Sequence, residues 1–374
     1  MCTTPIPPPT TDRTGLCAPT RQAVRLSAEG VCLRLEGVTR ELQRTGRLAQ
    51  VIHEVGACAA AVQPAAVSEA LRRGDAYRAH LADLASRRVS TGEAVHSLLC
   101  EDARTACDTL LPHHSGSGGL CARVFVPLDP CADARRAVAE ASAMRWTVDR
   151  PNAVFSVHPA LDGVALVGDL LARGIGVDVR SLFSLEQFDL LFEEFLTGLE
   201  RARAAGHDPA GIHFTASVPL RLLDESIAAR LGPAGPSEDW AVAIARLLHH
   251  RREQLMDGAR WRSLVRAGAR PLHFVWSSPE APVGDAVHYL EELVAWNSAF
   301  SAGPGILHAV RSRAELRGDT VSGTEPHARR VLSTLRRHGV DVRLLGRELQ
   351  QAQLTAARAE WTELCRAVGE ALGR

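Results

Sequence analysis

Ala153-Val154-Phe155-Ser156-Val157-His158, then Gly176-Val177-Asp178-Val179-Arg180-Ser181, then Leu185-Glu186-Gln187-Phe188-Asp189-Leu190-Leu191-Phe192 follow one another along the chain. The first two are short β-branched runs with polar and apolar residues in alternation, the pattern of a strand. The third has apolar residues at helical spacing. It opens after Ser184 with Glu186 and Glu193 early and Arg201 and Arg203 late, as a helix macrodipole favours. Strand, connection, strand, helix is the grammar of a βα repeat, which builds a parallel sheet with helices outside it.

Working outward, the alternation recurs. Candidate strands are Val31–Glu36, Val55–Gln63, Ala122–Pro127, Ala153–His158, Gly176–Ser181, Ile212–Ser217, Leu272–Ser277 and, least pronounced, Asn297–Ser301. Helical periodicity marks Leu185–Ala205, Trp240–Gly258, Glu325–His338 and a closing helix over Gln350–Leu372. Ser115–Gly119 and Gly232–Ser237 read as loops. No boundary divides the core, and 374 residues suit one α/β domain: a single (β/α)8 TIM barrel over residues 25–374. Residues 1–24, with Pro7-Pro8-Pro9-Thr10-Thr11, lack apolar periodicity and read as a disordered tail.

The 43 basic and 43 acidic residues balance, so no global field draws the chain to nucleic acid or a membrane. No apolar run reaches the roughly 18 residues of a membrane helix, and no charged segment with an apolar stretch marks a secretory signal. The cytoplasm is the expected location. All 43 basic residues are arginine, and the chain contains no lysine. Arginine stays protonated at any workable pH and cannot attack a carbonyl as an amine. Nine cysteines, an odd number without a CxxC pair, argue against a disulfide framework and a zinc knuckle. With no HxH or HxxxH spacing, no metal site is expected, and nothing calls for a cofactor.

Several stretches, in order, resemble actinobacterial-type transaldolases. Leu35–Leu48 is similar to a family segment reading Leu-Asp-Asp-Leu-Ser-Arg with a Ser-Gly-x-Leu helix end. Gly74-Asp75-Ala76-Tyr77, Val148-Asp149-Arg150-Pro151-Asn152, Leu182-Phe183-Ser184-Leu185-Glu186 and Arg317-Gly318-Asp319-Thr320-Val321 match further family segments. The likeness covers roughly residues 27 to 370 and implies a transaldolase-type (β/α)8 barrel. It also implies a small-molecule substrate, and members of that family often form homodimers, although no patch here identifies an interface. The family joins a strand-four lysine to a sugar ketone as an imine, with Asp, Glu, Asn and Thr organising the proton transfers.

This sequence departs at nearly all those places. The family's Ile-Lys-Ile-Pro becomes Phe155-Ser156-Val157-His158-Pro159. Counting from Asn152 puts Ser156 at the lysine position; counting back from Pro159 puts Val157 there. The strand-one Asp is matched by Glu36, Thr-Thr-Asn-Pro by Ala61-Val62-Gln63-Pro64, Glu-Val-Asp-Pro by Pro127-Leu128-Asp129-Pro130, and Asn-Val-Thr by Asp178-Val179-Arg180. In the phosphate grip, Ser217 matches the family's serine, but Leu222 aligns with its arginine, and Glu280 or Ala281 with its late basic residue. Phosphate needs converging cations or amides.

Barrel active sites lie at the C-terminal strand ends. His158 with Asp178 is the sharpest candidate pair, a carboxylate on the adjacent strand orienting an imidazole for acid–base work; the bland reading has His158 capping a strand end. Glu36 is a candidate acid or base, or an ion-pair partner of Arg180, and Arg180 a candidate stabiliser of an enolate. Gln63, Ser156, Ser217, His213, Phe155 and Trp276 are candidate substrate contacts, and with Phe125 and Phe274 they suggest an apolar-lined pocket. Cys58 as a thiolate nucleophile stands against a small core residue. Three functions follow: imine-free acid–base chemistry of lyase, isomerase or cyclase type on a relatively apolar specialised metabolite; a non-catalytic ligand-binding, scaffold or regulatory protein; or aldol chemistry by another route.

Overall fold

The computed structural model describes residues 26–159, 163–278 and 281–373. The tail read over residues 1–24 lies outside them. Eight parallel strands close into a barrel in chain order: β1 (Val31–Val38), β2 (Ala59–Val62), β3 (Arg123–Pro127), β4 (Ala153–Val157), β5 (Val177–Val179), β6 (Phe214–Pro219), β7 (His273–Ser277) and β8 (Ser298–Ala302), which pairs back with β1. The eight expected strands are all present. β2 is shorter than expected, because Val51, Ile52 and Val55 are buried along the helix Arg47–Val55, which stops at Gly56 (φ 70°).

Helices fill the connections as their end signals dictate. Ser90 and Glu93 form a reciprocal capping box at the start of Thr91–Gly116, which runs on through the first two residues of the expected Ser115–Gly119 loop. Ser184 caps Leu185–Ala204, its hydroxyl accepting from the Gln187 N–H. The closing helix begins earlier than its periodicity suggested, at Val342, because the Asp341 carboxylate accepts from the Arg343 and Leu344 N–H groups.

Strand period two divides the core into two layers. Leu33, Leu35, Phe155, Val157, Phe214, Phe274 and Trp276 lie in the large apolar layer between strands and helices. Ala59, Ala61, Phe125 and Val154 form a small separate cluster inside the barrel, with Cys32 packed against it. Cys32 and Cys58 are joined by a disulfide with a Cα–Cα distance of 5.9 Å. The count and spacing of cysteines gave no sign of that bond. A separation of 26 residues becomes a neighbour distance because β1 and β2 lie side by side.

The closing helix Val342–Ala371 crosses the C-terminal end of the barrel. Gln350 Nε2 donates to the Pro159 carbonyl after β4 (3.0 Å), and Arg358 Nε donates to the Pro130 carbonyl after β3 (3.0 Å). Arg72 pairs with Glu363 at its far end. No helix among the described residues is long and apolar enough to cross a membrane.

The β1–β2 register shifts between Glu36 and Val38, where Gly37 takes φ +80° as an extra residue. That bulge sets Glu36 toward the barrel axis. Gly37 has no atom closer than 3.9 Å to an added Cβ, so a Gly37→Ala change meets only the left-handed backbone cost. Chemical denaturation should show it less stable by about 1–2 kcal/mol, with Gly37→Asn recovering part of the loss.

Candidate functional site

Arg34 lies at the centre of the barrel, and its side chain is almost fully buried. It sits two residues before Glu36 on the inward face of β1. Its Nε lies 2.8 Å from Glu36 Oε1 and donates to Ser301 Oγ at 2.8 Å. Its Nη1 donates to Asp178 Oδ1 (3.3 Å), its Nη2 donates to Ser217 Oγ (3.2 Å), and the guanidinium lies over the Phe125 ring, 4.8 Å from the centroid. Room for it comes from the alanines of β2, since Ala59 and Ala61 face the same interior.

Asp178 is the other focus. The Ser156 hydroxyl donates to Oδ2 (2.9 Å), and the Thr215 and Ser217 hydroxyls donate to Oδ1 (2.6 and 3.4 Å). Arg180 Nη1 lies 3.7 Å from Oδ2. Burial alone would raise the Asp178 pKa, but Arg34, Arg180 and the hydroxyls hold it below the ordinary carboxylate value. Glu36 behaves likewise. Burial pushes it up, and Arg180 (3.4 Å), Arg34 and the Ser301 hydroxyl pull it down to about 2. Its second oxygen accepts from Gln63 Nε2 at 2.5 Å. Two guanidiniums and two carboxylates thus form one neutral, hydrogen-bonded cluster.

Ser156 pairs with Asp178 across β4–β5, and Val157 pairs with Val179. Ser156 therefore faces the interior and Val157 the strand–helix layer, so the inward strand-four side chain is a hydroxymethyl. His158 stands above it at the mouth, half-buried. Its imidazole makes no side-chain hydrogen bond among the described residues, and Asp178 is occupied by other donors. Burial, then Arg180, lower the His158 pKa to about 4, against a weaker upward pull from Asp178. The ring is neutral at neutral pH.

Three candidate contacts lie elsewhere than expected. Phe155 belongs to the strand–helix layer, and Trp276 does too, donating its Nε1–H to the Leu293 carbonyl (3.1 Å). Both are out of phase with the inward residues of their strands. His213 is in phase but precedes β6, so it lies at the N-terminal floor, 5.2 Å ring to ring from His273. Gln63, Ser156 and Ser217 do join the cluster. Glu280 falls outside the described residues. Arg34 was missed in the sequence. Its signal was its position two residues before Glu36, facing alanines on β2.

Fold and interior together define a (β/α)8 barrel whose strand ends carry buried charges. The family model for transaldolase/fructose-6-phosphate aldolase matches residues 43–368. The chain is 33% identical to transaldolase 1 of Streptomyces avermitilis over 358 residues, covering 93% of this chain and 95% of that protein. It is 35% identical to the transaldolase of Thermobifida fusca over 361 residues, 93% of this chain and 97% of that one. The chain belongs to the transaldolase family.

Removing Arg34 strands two buried carboxylates. Arg34→Met should destabilise the protein by about 3–5 kcal/mol in urea unfolding, and adding Glu36→Gln and Asp178→Asn should recover much of the loss.

The lowered Glu36 pKa also predicts acid lability. Its contribution is fully present above its ordinary value of 4.5 and is lost as pH falls through about 2, worth up to ~3 kcal/mol. Between pH 6.5 and about 4 the unfolded chain protonates His158 while the folded chain does not, so stability falls there too. Unfolding midpoints measured from pH 7 to 2 should decline through both windows, with Glu36→Gln flattening the lower one.

Proposed function

We propose that this transaldolase-family barrel works without an imine, carrying out acid–base chemistry of lyase, isomerase or cyclase type on a neutral, relatively apolar metabolite. One observation carries the reading: no lysine occurs in the chain, and the inward strand-four residue is Ser156, held on Asp178 at 2.9 Å. A serine hydroxyl cannot form a carbon–nitrogen link, and guanidiniums remain protonated.

The roles follow from position. His158, neutral and at the mouth, is the proton acceptor. Arg180, whose side chain keeps 18% exposure while holding Glu36 and Asp178 only at 3.4 and 3.7 Å, is the donor to an oxyanion that develops on the substrate. Glu36, itself accepting from Gln63, holds that guanidinium in place from below. Asp178 serves as the anchor of the cluster rather than as the orienting partner of His158. The charges of the cluster already balance, so a phosphate dianion would find no spare cation within it, which supports an uncharged substrate.

The saturated cluster also favours a second reading, a non-catalytic family member that binds a ligand or partner. A third, that the chain shares the activity for which its relatives are named, requires a nucleophilic amine. Borohydride reduction with fructose 6-phosphate, followed by intact mass, should yield no adduct; a trapped three-carbon fragment would overturn the proposal. Proton exchange in heavy water, followed by NMR on a panel of neutral ketones and aldehydes, should reveal α-carbon exchange. His158→Ala should slow that exchange by about 100-fold or more, and Arg180→Met comparably. Exchange absent across the panel, with in-cell function intact in both variants, would favour the non-catalytic reading.

A further inference from the structure

At the floor of the barrel, opposite the mouth, Cys58 stands between two other cysteines. Its N–H donates to the Leu33 carbonyl on β1 (2.9 Å), and its carbonyl accepts from the Ala122 N–H at the foot of β3 (2.7 Å). The registers agree: Arg34 pairs with Ala59 and Ala59 with Arg123, so Leu33 and Ala122 are the residues directly beside Cys58. Cys32 and Cys121 each precede those residues by one. The two diagonals from Cys58 therefore have the same offset in the same direction, one on each flank. Across β1–β2 the diagonal is bridged, with a Cα–Cα distance of 5.9 Å. Across β2–β3 Cys121 is a free thiol, one residue before the Ala122 whose N–H bonds to the Cys58 carbonyl.

All three sulfur-bearing residues line one small cavity of about 40 Å³, together with Arg123, His213 and His273. That space suits a water or two rather than an organic ligand. Arg123, buried and adjacent to Cys121 in sequence, donates to the Leu120 carbonyl (2.8 Å) and the Gly119 carbonyl. Neither His213 nor His273 makes a side-chain hydrogen bond among the described residues. Burial, then Arg123, keep both rings neutral, His273 at about 3, so they do not compete as cations.

We propose that the barrel floor is a thiol–disulfide exchange site, in which Cys121 displaces Cys32 from Cys58. The Cys121 thiolate attacks Cys58 Sγ, the Cys32–Cys58 bond breaks, and a Cys58–Cys121 bond forms. Cys32 leaves as the thiolate and takes up the proton that Cys121 gave up. One disulfide and one thiol are present before and after, so the step needs no oxidant. Its effect is to move a covalent staple from β1–β2 to β2–β3, freeing Cys32 on the strand face that carries Arg34 and Glu36. The exchange does not require the chemistry proposed at the mouth.

Cleavage after arginine puts the three cysteines on separate peptides, 26–34, 48–72 and 105–123. Protein equilibrated in a glutathione redox buffer would be acid-quenched, denatured, alkylated with N-ethylmaleimide and digested without reduction. Wild type should give two bridged species, 32–58 and 58–121, with fragment ions separating Cys121 from Cys107 on its peptide. Cys121→Ser should give only the first. Cys32→Ser, oxidised with glutathione disulfide, should give the second, two glutathione molecules being released per bridge. A folded Cys32→Ser protein whose Cys58 and Cys121 are recovered only as alkylated or singly glutathionylated thiols would overturn the proposal. Wild type yielding the 32–58 bridge alone at every buffer ratio would do the same without a variant.

Discussion

A guanidinium cannot shed its charge, so Arg34 in the middle of the barrel obliges the surrounding strands to answer it. Glu36 and Asp178 supply the two negative charges, and Ser301 and Ser217 each accept one of its N–H groups. The face of Phe125 supports its plane. The strand beside it must be narrow, and β2 presents only Ala59 and Ala61 to the interior. The bulge at Gly37 then sets Glu36 within reach of both Arg34 and Arg180. Much of what looks unusual in the interior follows from this one buried cation.

The cluster also decides where chemistry can occur. Asp178 accepts from Ser156, Thr215, Ser217 and Arg34, which leaves it little capacity to polarise an imidazole. The chemistry we propose therefore rests on groups further up the barrel with something still to give. Those are His158, neutral and without a side-chain hydrogen bond among the described residues, and Arg180, held only loosely by its carboxylates. The relatives carry the name transaldolase, and the same barrel here has its centre filled by ion pairs. Such an interior is compatible with the family's architecture because the apolar layer between strands and helices, which holds the fold together, is separate from what faces the axis.

The sequence displayed the strands clearly because β-branched runs with period two are hard to mistake when eight recur between helical stretches. It left Ser156 and Val157 as alternatives for the strand-four position, since an insertion before Pro159 makes the count ambiguous. Register removes the ambiguity, because Ser156 pairs with the inward Asp178. Phase alone could not place His213, which faces inward but lies below its strand. Phe155 and Trp276, candidate contacts for their aromatic bulk, are turned outward by the phase of their strands. Arg34 escaped because, apart from Glu36 two residues on, its partners come from β5, β6 and β8, and pairing across a closed barrel leaves no trace in local spacing. The Cys32–Cys58 bond escaped because only the β1–β2 ladder brings together two cysteines 26 residues apart.

Strand β1 joins these levels. Cys32, Arg34 and Glu36 occupy successive inward positions, separated by roughly 6–7 Å each, so one strand carries the floor sulfur, the central cation and the upper carboxylate. Below Arg34 the strand is stapled to β2 at Cys58, and above Glu36 the register slips at Gly37. Moving the staple to β3 would leave β1 held at the floor by its ladders to β2 and β8 alone, with Arg34 and Glu36 the next inward groups above Cys32. Because Glu36 holds Arg180, the mouth cation would feel the change through a chain of direct ionic contacts rather than through the apolar layer.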